Sequence, residues 1–243
     1  MLRGHHSDAV APTARRRGWP NMLGGVAALA AALVAAALRA VLPTNSDVAW
    51  LLTVGEKVLD GNRLYVDVLE TNPPASVLIY LPAIAVGRLL GIAPDGVLDA
   101  QLFLSAFLSL ALAGLLLAPV VQARAASWPW LLPVSIAIVL LLPSYNFGQR
   151  EHFAVLCILP ALAATAVRAH GLPVRGSLAV VAGLGLGLTV AIKPHFGLAV
   201  LLPELFLLAC LARCGRCSGR KISSGEPLRP LTPAWSSRSF PPT

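Results

Sequence analysis

Residues 44–74, TNSDVAWLLTVGEKVLDGNRLYVDVLETNPP, form the one long polar interruption between the hydrophobic segments of this chain. They hold five of its 11 acidic residues, namely Asp47, Glu56, Asp60, Asp67 and Glu70. Carboxylates concentrated beside a bilayer indicate where a membrane protein binds ligands or carries out chemistry. The way the chain enters and leaves this stretch also decides how often it crosses the membrane.

The composition is that of an integral membrane protein. The chain has 243 residues, of which 56% are hydrophobic and 12% charged, and its mean hydropathy is +0.74. Soluble domains usually contain about 25% charged residues. Several apolar runs approach the roughly 20 residues that a helix needs to cross a bilayer core of about 30 Å. We therefore predict an all-α, polytopic membrane bundle.

The net charge of +8 is explained by topology signals. Lys and Arg stand in short clusters beside apolar runs, as they do in loops that stay cytoplasmic. The cluster Arg15, Arg16 and Arg17 precedes the first apolar run and predicts a cytoplasmic N-terminus of residues 1–21. Nucleic acid is therefore not an expected partner. The four cysteines lack the companions of a metal site, so no metal ligand is assigned.

The first apolar run, residues 22–42, is long enough to span the membrane. A cleaved signal peptide is the alternative, although the further hydrophobic runs favour a retained helix. Residues 47–60 then have the period of an amphipathic helix, which we expect in the membrane interface with its apolar side in lipid. Residues 64–69 are predicted to be extended.

Six further apolar runs occupy residues 75–92, 97–121, 128–143, 153–167, 177–192 and 196–211. If the first of them crosses, the loops with Arg124, Arg168 and Arg175 lie outside, as does the basic tail. If it enters and returns, or lies along the interface, all of these lie inside, which the positive-inside rule favours. We therefore predict about six spanning helices, plus an interfacial helix and a half-inserted helix belonging to the first outer loop (residues 43–74).

The transmembrane domain is predicted to extend over residues 22–212. Residues 213–243 are rich in Ser, Pro and Arg and have no apolar period, so they are predicted to be a disordered basic tail. The abrupt change of composition there also suits a truncated or frame-shifted reading.

Two carboxylates of the first outer loop are candidates for a site. Asp47 follows the first spanning segment, and Glu70 precedes the point where the chain re-enters the membrane. For Asp47 the structural interpretation is a helix N-cap formed by Ser46 or by Asp47 itself. The functional interpretation is a carboxylate that deprotonates an acceptor or binds a cation. Glu70 is either a solvated loop residue or a substrate ligand.

A second polar island, YNFGQREH at residues 145–152, lies between two apolar runs. Its charges are costly there unless they are paired or at water level. The structural interpretation is a helix start, with Glu151 favourable in the first turn. The functional interpretation makes Glu151 a second acid facing Asp47 and Arg150 a bidentate phosphate ligand. Lys193 either snorkels or binds phosphate on the same side, and His152 is a further substrate-binding candidate.

Four segments carry a resemblance to a known family: NSD at 45–47, GNRLYVD at 61–67, ETNPP at 70–74, and residues 143–151. In them the chain resembles the GT-C superfamily of membrane glycosyltransferases. It is most similar to the bacterial relatives of dolichyl-phosphate-mannose protein mannosyltransferases and of lipid A aminoarabinose transferases. The similarity covers roughly residues 20–212, the N-terminal half of such an enzyme.

The resemblance implies sugar transfer from a polyprenyl-phosphate donor to an acceptor on the extracytoplasmic face of a bacterial inner (plasma) membrane. Asp47 would match the first-loop acid that acts as base or orients the acceptor, and Glu151 an acid in the second outer loop. Arg150 and Lys193 would hold the lipid phosphate. No cofactor is assigned, and a need for a divalent metal is left open. Family members continue for several more helices, so a truncated, inactive form is part of this expectation.

Two other functions stay open at this point: a non-catalytic membrane fragment or assembly partner, and a small transporter. The sequence shows no internal repeat or matched pair of broken helices, which disfavours the transporter. It also contains no GxxxxGK[ST], HExxH or GxSxG motif, so nucleotide-driven and zinc-protease mechanisms are not expected.

Overall fold

The computed structural model describes residues 19–123 and 130–217. Within these ranges the regular structure is helical, and the β contact found is an isolated bridge between Leu64 and Val68. The helices are α1 (Trp19–Val41), α2 (Ser46–Leu59), α3 (Ala75–Leu78), α4 (Leu81–Leu90), α5 (Pro94–Ala123), α6 (Leu131–Ile136), α7 (Arg150–Ala169), α8 (Gly176–Ile192) and α9 (Leu198–Cys217). A π-helical turn, Ala137–Leu141, continues α6, and 3-10 turns lie at Ser144–Asn146 and Pro194–Gly197.

Three segments are long and apolar enough to cross a membrane: Met22–Val41 in α1, Pro94–Gln122 in α5 and Arg150–Ala169 in α7. In the apolar part of α7, 61% of the residues are buried in the protein, against 17% in α1 and in α5. α7 is therefore the central helix, and α1 and α5 offer apolar surface to lipid. The predicted all-α class is confirmed, and the number of crossings remains a prediction.

Helix α7 is held by close contacts with its neighbours on both sides. The Ser109 hydroxyl of α5 donates to the Leu156 carbonyl, and the Thr189 hydroxyl of α8 donates to the Ala154 carbonyl at 3.1 Å. On α8, Gly185 lies so close to α7 that a Cβ would be 2.5 Å from the Cys157 carbonyl oxygen. Small residues allow this approach, as they do in other packed membrane helices.

Helix α2 has the predicted length, but its apolar face lies elsewhere than predicted. Val48, Leu51 and Val54 are at most 1% exposed, since α3 and α4 pack beneath them. The apolar side is therefore buried in protein, and the prediction that it lies in lipid is wrong. The cap also differs, because the Asn45 side chain accepts the Asp47 N–H at 2.8 Å while Asp47 lies inside the helix.

The segment after α2 is a tight turn, whereas an extended strand was predicted for residues 64–69. The Asp67 carboxylate accepts from the Arg63 N–H at 2.8 Å and from Arg63 Nε at 3.0 Å, which closes the turn. The guanidinium beside it lowers the pKa of Asp67 below its ordinary value. The predicted extended conformation is wrong because side chains four residues apart pair with each other.

The predicted half-inserted segment is broken into two short helices, α3 and α4, that meet at Tyr80. α4 has 10 residues, and at 1.5 Å per residue its length of about 15 Å is half of a bilayer core. Gly91, with a φ of 67°, ends it in the left-handed conformation that glycine accepts readily. Pro94 then opens α5, a position where proline loses no helical hydrogen bond.

The chain leaves and re-enters the bundle at the same end. Arg39, in the last turn of α1, donates from Nε to the Asp99 carboxylate oxygens at 3.1 and 3.2 Å, near the start of α5. The Arg39 guanidinium also lies 5.0 Å from the Phe147 ring, and Val48 lies 3.7 Å from where a Cβ of Gly148 would be. We call this end, which contains the last turn of α1 and the first turns of α2, α5 and α7, the polar end.

Several predictions fall at the edges of the described ranges. Helix α9 continues to Cys217, so residues 213–217, predicted to begin the disordered tail, are helical. Residues 218–243, the basic N-terminus up to residue 18, and Arg124 lie outside the described residues. The chain divides into two compact units, Met1–Glu204 and Leu205–Thr243, and the described part of the second is the rest of α9.

We expect Gly185→Ala to destabilise the protein, because the new Cβ would meet a backbone atom of α7 at 2.5 Å. Overpacking of this kind costs about 1–3 kcal/mol, more than the roughly 1 kcal/mol that alanine regains through helix propensity. The midpoint of thermal unfolding of the purified protein should therefore fall.

Gly187→Ala in the same helix is the matched control, because nothing lies within 4 Å of its ideal Cβ. This variant should unfold at or above the wild-type midpoint. Equal midpoints for the two variants would contradict the close packing of α8 on α7.

Candidate functional site

The turn before α7 positions the second polar island. Gly148 has a φ of 85°, a left-handed conformation that suits glycine. Its carbonyl accepts from the Tyr80 hydroxyl at 2.8 Å, which ties the turn to the α3–α4 junction. Gln149 is extended, and α7 begins at the next residue. Arg150 and Glu151 are consequently in the first turn of α7, at the polar end.

Glu151 is shared by two cations. Its Oε1 forms an ion pair with Lys193 Nζ, at the end of α8, and lies 3.5 Å from Arg150 Nε. The Arg150 side chain is only 16% exposed, and its Nε is buried without a hydrogen-bond partner. The cluster carries one net positive charge and an unused donor, and a guanidinium in such a setting is suited to a phosphate group.

Asp47 lies on the same end of the bundle as this cluster. Its side chain is exposed in the first turn of α2, and the adjacent Val48 packs toward Gly148. The fold therefore places the start of α2 beside the turn that precedes α7.

Glu70 is placed to hold the first loop together. It is 6% exposed and accepts from Trp50 Nε1 at 2.9 Å, from the Thr71 N–H at 2.8 Å and from the Asn72 N–H at 2.9 Å. Burial raises the pKa of this carboxyl, but the hydrogen bonds from Asn72, Trp50 and Thr71 outweigh burial and hold the pKa below its ordinary value of 4.5. This geometry favours a structural role over the predicted substrate contact.

His152 is likewise occupied within the protein. The ring is 5% exposed, and its Nδ1 accepts the Gly148 N–H at 3.3 Å. The Nε2–H therefore donates to the Val139 carbonyl at 2.8 Å, within the π-helical turn after α6. With both nitrogens engaged and the ring against Phe147, this geometry favours a structural role for His152 over the predicted substrate contact.

Two features of the polar end were missed by the sequence reasoning: the Arg39–Asp99 pair and the Tyr80 hydroxyl. Each charge of the pair lies inside an apolar helix close to its end, and such charges are costly in a membrane unless paired. That rule was sufficient to select Arg39 and Asp99 as candidates. Tyr80 gave no comparable signal, since a tyrosine in an apolar segment is equally typical of a membrane interface.

In residues 19–123 and 130–217, no three His, Cys, Asp or Glu side chains cluster closely enough to hold a metal ion. The candidate site is therefore described by its cations, Arg150 and Lys193, and by the carboxylates Glu151 and Asp47.

We expect acid to loosen the first outer loop through Glu70. Its folded-state pKa is lowered, so its stabilisation is fully present above about pH 4.5 and is lost as the pH falls through the folded-state value. Glu70→Gln, which removes a charged acceptor, should cost about 1.5–3 kcal/mol of loop stability at neutral pH and abolish this acid transition.

The Trp50 indole reports the change, because it donates to Glu70. Its fluorescence contribution is obtained as the difference from a Trp50→Phe protein during an acid titration. Glu56→Gln, on the same helix as Trp50, is the control and should keep the transition. A transition that survives in Glu70→Gln would show that another group is responsible.

No protein-family model, no curated protein and no solved structure matches this chain. The resemblance to the GT-C superfamily therefore remains a prediction from the sequence segments. The function has to be inferred from the side chains of the polar end.

Proposed function

We propose that the polar end is the site of a membrane glycosyltransferase, which transfers a sugar from a polyprenyl-phosphate donor to an acceptor hydroxyl. The observation that carries the proposal is the Arg150–Glu151–Lys193 cluster: two cations and one carboxylate, with a buried guanidinium donor unused. Such a cluster suits the phosphate of a lipid-linked sugar. Asp47 adds an exposed carboxylate on the same end.

We further propose that the polar end faces the extracytoplasmic side and that six helices cross: α1, α5, α6 with its π-helical turn, α7, α8 and α9. The Arg39–Asp99 contact supports this, because α1 ends where α5 begins. The segment between them then enters and returns. Arg168 lies in the last turn of α7 and Arg175 directly precedes α8, both at the opposite end from Glu151, as the positive-inside rule requires of cytoplasmic loops.

The proposed reaction requires from the protein a general base for the acceptor and cations for the leaving phosphate. The acceptor oxygen forms a bond to the anomeric carbon of the donor sugar while the bond from that carbon to the phosphate oxygen breaks. The acceptor proton passes to the Asp47 carboxylate, which acts as general base. The leaving polyprenyl phosphate gains negative charge, which Arg150 and Lys193 stabilise. Both electrons of the broken bond leave with the phosphate, so the transfer from donor to acceptor needs no oxidant and no further co-reactant.

Glu151 has a positioning role in this proposal. It contacts both cations, so it holds Arg150 and Lys193 toward one point at the cost of neutralising part of their charge. A phosphate that binds the two cations replaces this contact. The proposal therefore differs from the sequence prediction, in which Glu151 was a catalytic acid.

A non-catalytic membrane protein or assembly partner is the second candidate. It is favoured by one observation: Glu70, His152 and Glu151 are all engaged in contacts within the protein. A chain that has kept only the architecture of the fold would also keep such contacts.

The proposal is tested by sugar transfer in purified, membrane-reconstituted protein. Labelled polyprenyl-phosphate mannose and polyprenyl-phosphate aminoarabinose, the donors of the two families that the sequence resembles, are supplied with membrane extracts as acceptors. Asp47→Asn should lower the rate by about 10²-fold or more, the usual contribution of a general base. Arg150→Gln should lower it by about 10²–10³-fold, as for loss of a charge-stabilising donor.

Asp60→Asn is the matched control. Asp60 follows the other end of α2 and pairs with Arg88 at 2.8 Å, so its removal should leave transfer within about twofold, as is usual for exposed ion pairs. Transfer that is insensitive to both Asp47→Asn and Arg150→Gln would contradict the site. If the wild-type protein transfers sugar from neither donor, the result favours the non-catalytic candidate.

A further inference from the structure

A cleft of about 500 Å³ lies between the end of α1 and the start of α5. The residues that give it chemical character are Arg39, Thr44, Asp95, Gly96, Asp99 and Phe103. It adjoins the first outer loop, since Thr44 comes two residues before α2. The cleft is distinct from the Arg150–Glu151–Lys193 cluster, none of whose residues line it.

Small residues keep the cleft open. Ala36 and Ala40 form part of the α1 wall, and Gly96 forms part of the α5 wall. An ideal Cβ at Gly96 would have no neighbour within 4 Å. Space of this size is within the range of pockets that bind small molecules, roughly 300–1,000 Å³.

One wall holds a guanidinium that is not fully used. The Arg39 side chain is 8% exposed and pairs through Nε with both oxygens of Asp99, while its Nη1 is buried without a hydrogen-bond partner. A buried N–H without a partner is costly, so native structures rarely leave one unless a ligand or water completes it. Asp95 provides an exposed carboxylate on the same wall as Asp99.

The charges select the type of ligand. One guanidinium faces two carboxylates, so the lining carries one net negative charge and repels anions. A cation would be attracted by Asp95, but it cannot accept a hydrogen bond, so it would leave Arg39 Nη1 without a partner. An uncharged group with several hydroxyls meets neither penalty, because it can accept from Arg39 Nη1 and donate to Asp95 at the same time.

We propose that this cleft binds an uncharged polyhydroxylated group, a sugar residue, through Arg39 and Asp95. Phe103 adds an apolar wall of the kind that sugar rings pack against. If the proposed glycosyltransferase function holds, the cleft is the acceptor subsite: it borders the start of α2, where Asp47 would take the acceptor proton. This last step rests on the proposed function, whereas binding itself does not.

The test uses the full chain in phosphatidylcholine nanodiscs, which, unlike maltoside detergents, contain no sugar. Binding of methyl α-mannopyranoside is measured by saturation-transfer NMR in the absence of any polyprenyl donor. Asp95→Asn should weaken binding by roughly tenfold, the loss expected for a hydrogen bond to a charged group. Gly96→Leu, which fills the cleft, should abolish it.

Asp95 and Gly96 are exposed, so the Asp95→Asn and Gly96→Leu proteins are expected to fold even if a variant of the buried Arg39 does not. Asp60→Asn is the control and should bind like the wild-type protein. Binding that is lost in Arg150→Gln but kept in Asp95→Asn would place the glycoside at the phosphate cluster and overturn the proposal. Inorganic phosphate that competes for the cleft would overturn it as well.

The two proposals fail separately. Glycoside binding that depends on Asp95 in a protein without transfer activity supports the cleft and contradicts the proposed function. If the wild-type protein transfers sugar, and the Gly96→Leu variant keeps both glycoside binding and transfer activity, the proposed function is supported and the proposed cleft is contradicted.

Discussion

The contact between Arg39 and Asp99 is the constraint on which the rest of the polar end depends. Both charges lie in apolar helices, where an unpaired charge is strongly unfavourable, and the loss of either partner would leave the other charge partly buried and unpaired. The pair joins the last turn of α1 to the start of α5. The segment between them therefore begins and finishes at one end of the bundle.

That return explains the form of the first outer loop. Helix α4, whose 10 residues cover about half of a bilayer core, packs under α2 and buries the apolar face that sequence reasoning assigned to lipid. Tyr80, at the break between α3 and α4, then reaches the Gly148 carbonyl of the turn before α7. Val48, next to Asp47, likewise packs toward Gly148, two residues before Arg150.

Much of this architecture could be predicted because it depends on composition and periodicity. Apolar length, the positions of Arg168 and Arg175, and the amphipathic period of α2 are all visible in the sequence. The partners of individual polar side chains are not, since they depend on tertiary contacts. Glu70 and His152 are of the right type for a site, yet the fold uses them to hold a loop and a π-helical turn.

The site itself could be predicted only in part, and for the same physical reason. The sequence indicated that Glu151 and Lys193 would face one side, and the structure pairs them. It gave no reason to connect Arg39 with Asp99, because residues 60 positions apart share no local pattern. Long-range pairing of this kind determines where the ends of helices lie, and hence which polar groups share one surface.

The most direct test of this account is the sidedness of the two ends of the returning segment. Single cysteines are introduced at Thr71 and at Ala93, in chains whose native cysteines are replaced by serine, and intact cells are treated with a membrane-impermeant maleimide. Our account predicts that both positions react from outside, because the chain enters and returns. Reaction at Thr71 from outside, with Ala93 reacting only after permeabilisation, would show that the segment crosses the membrane and would contradict it.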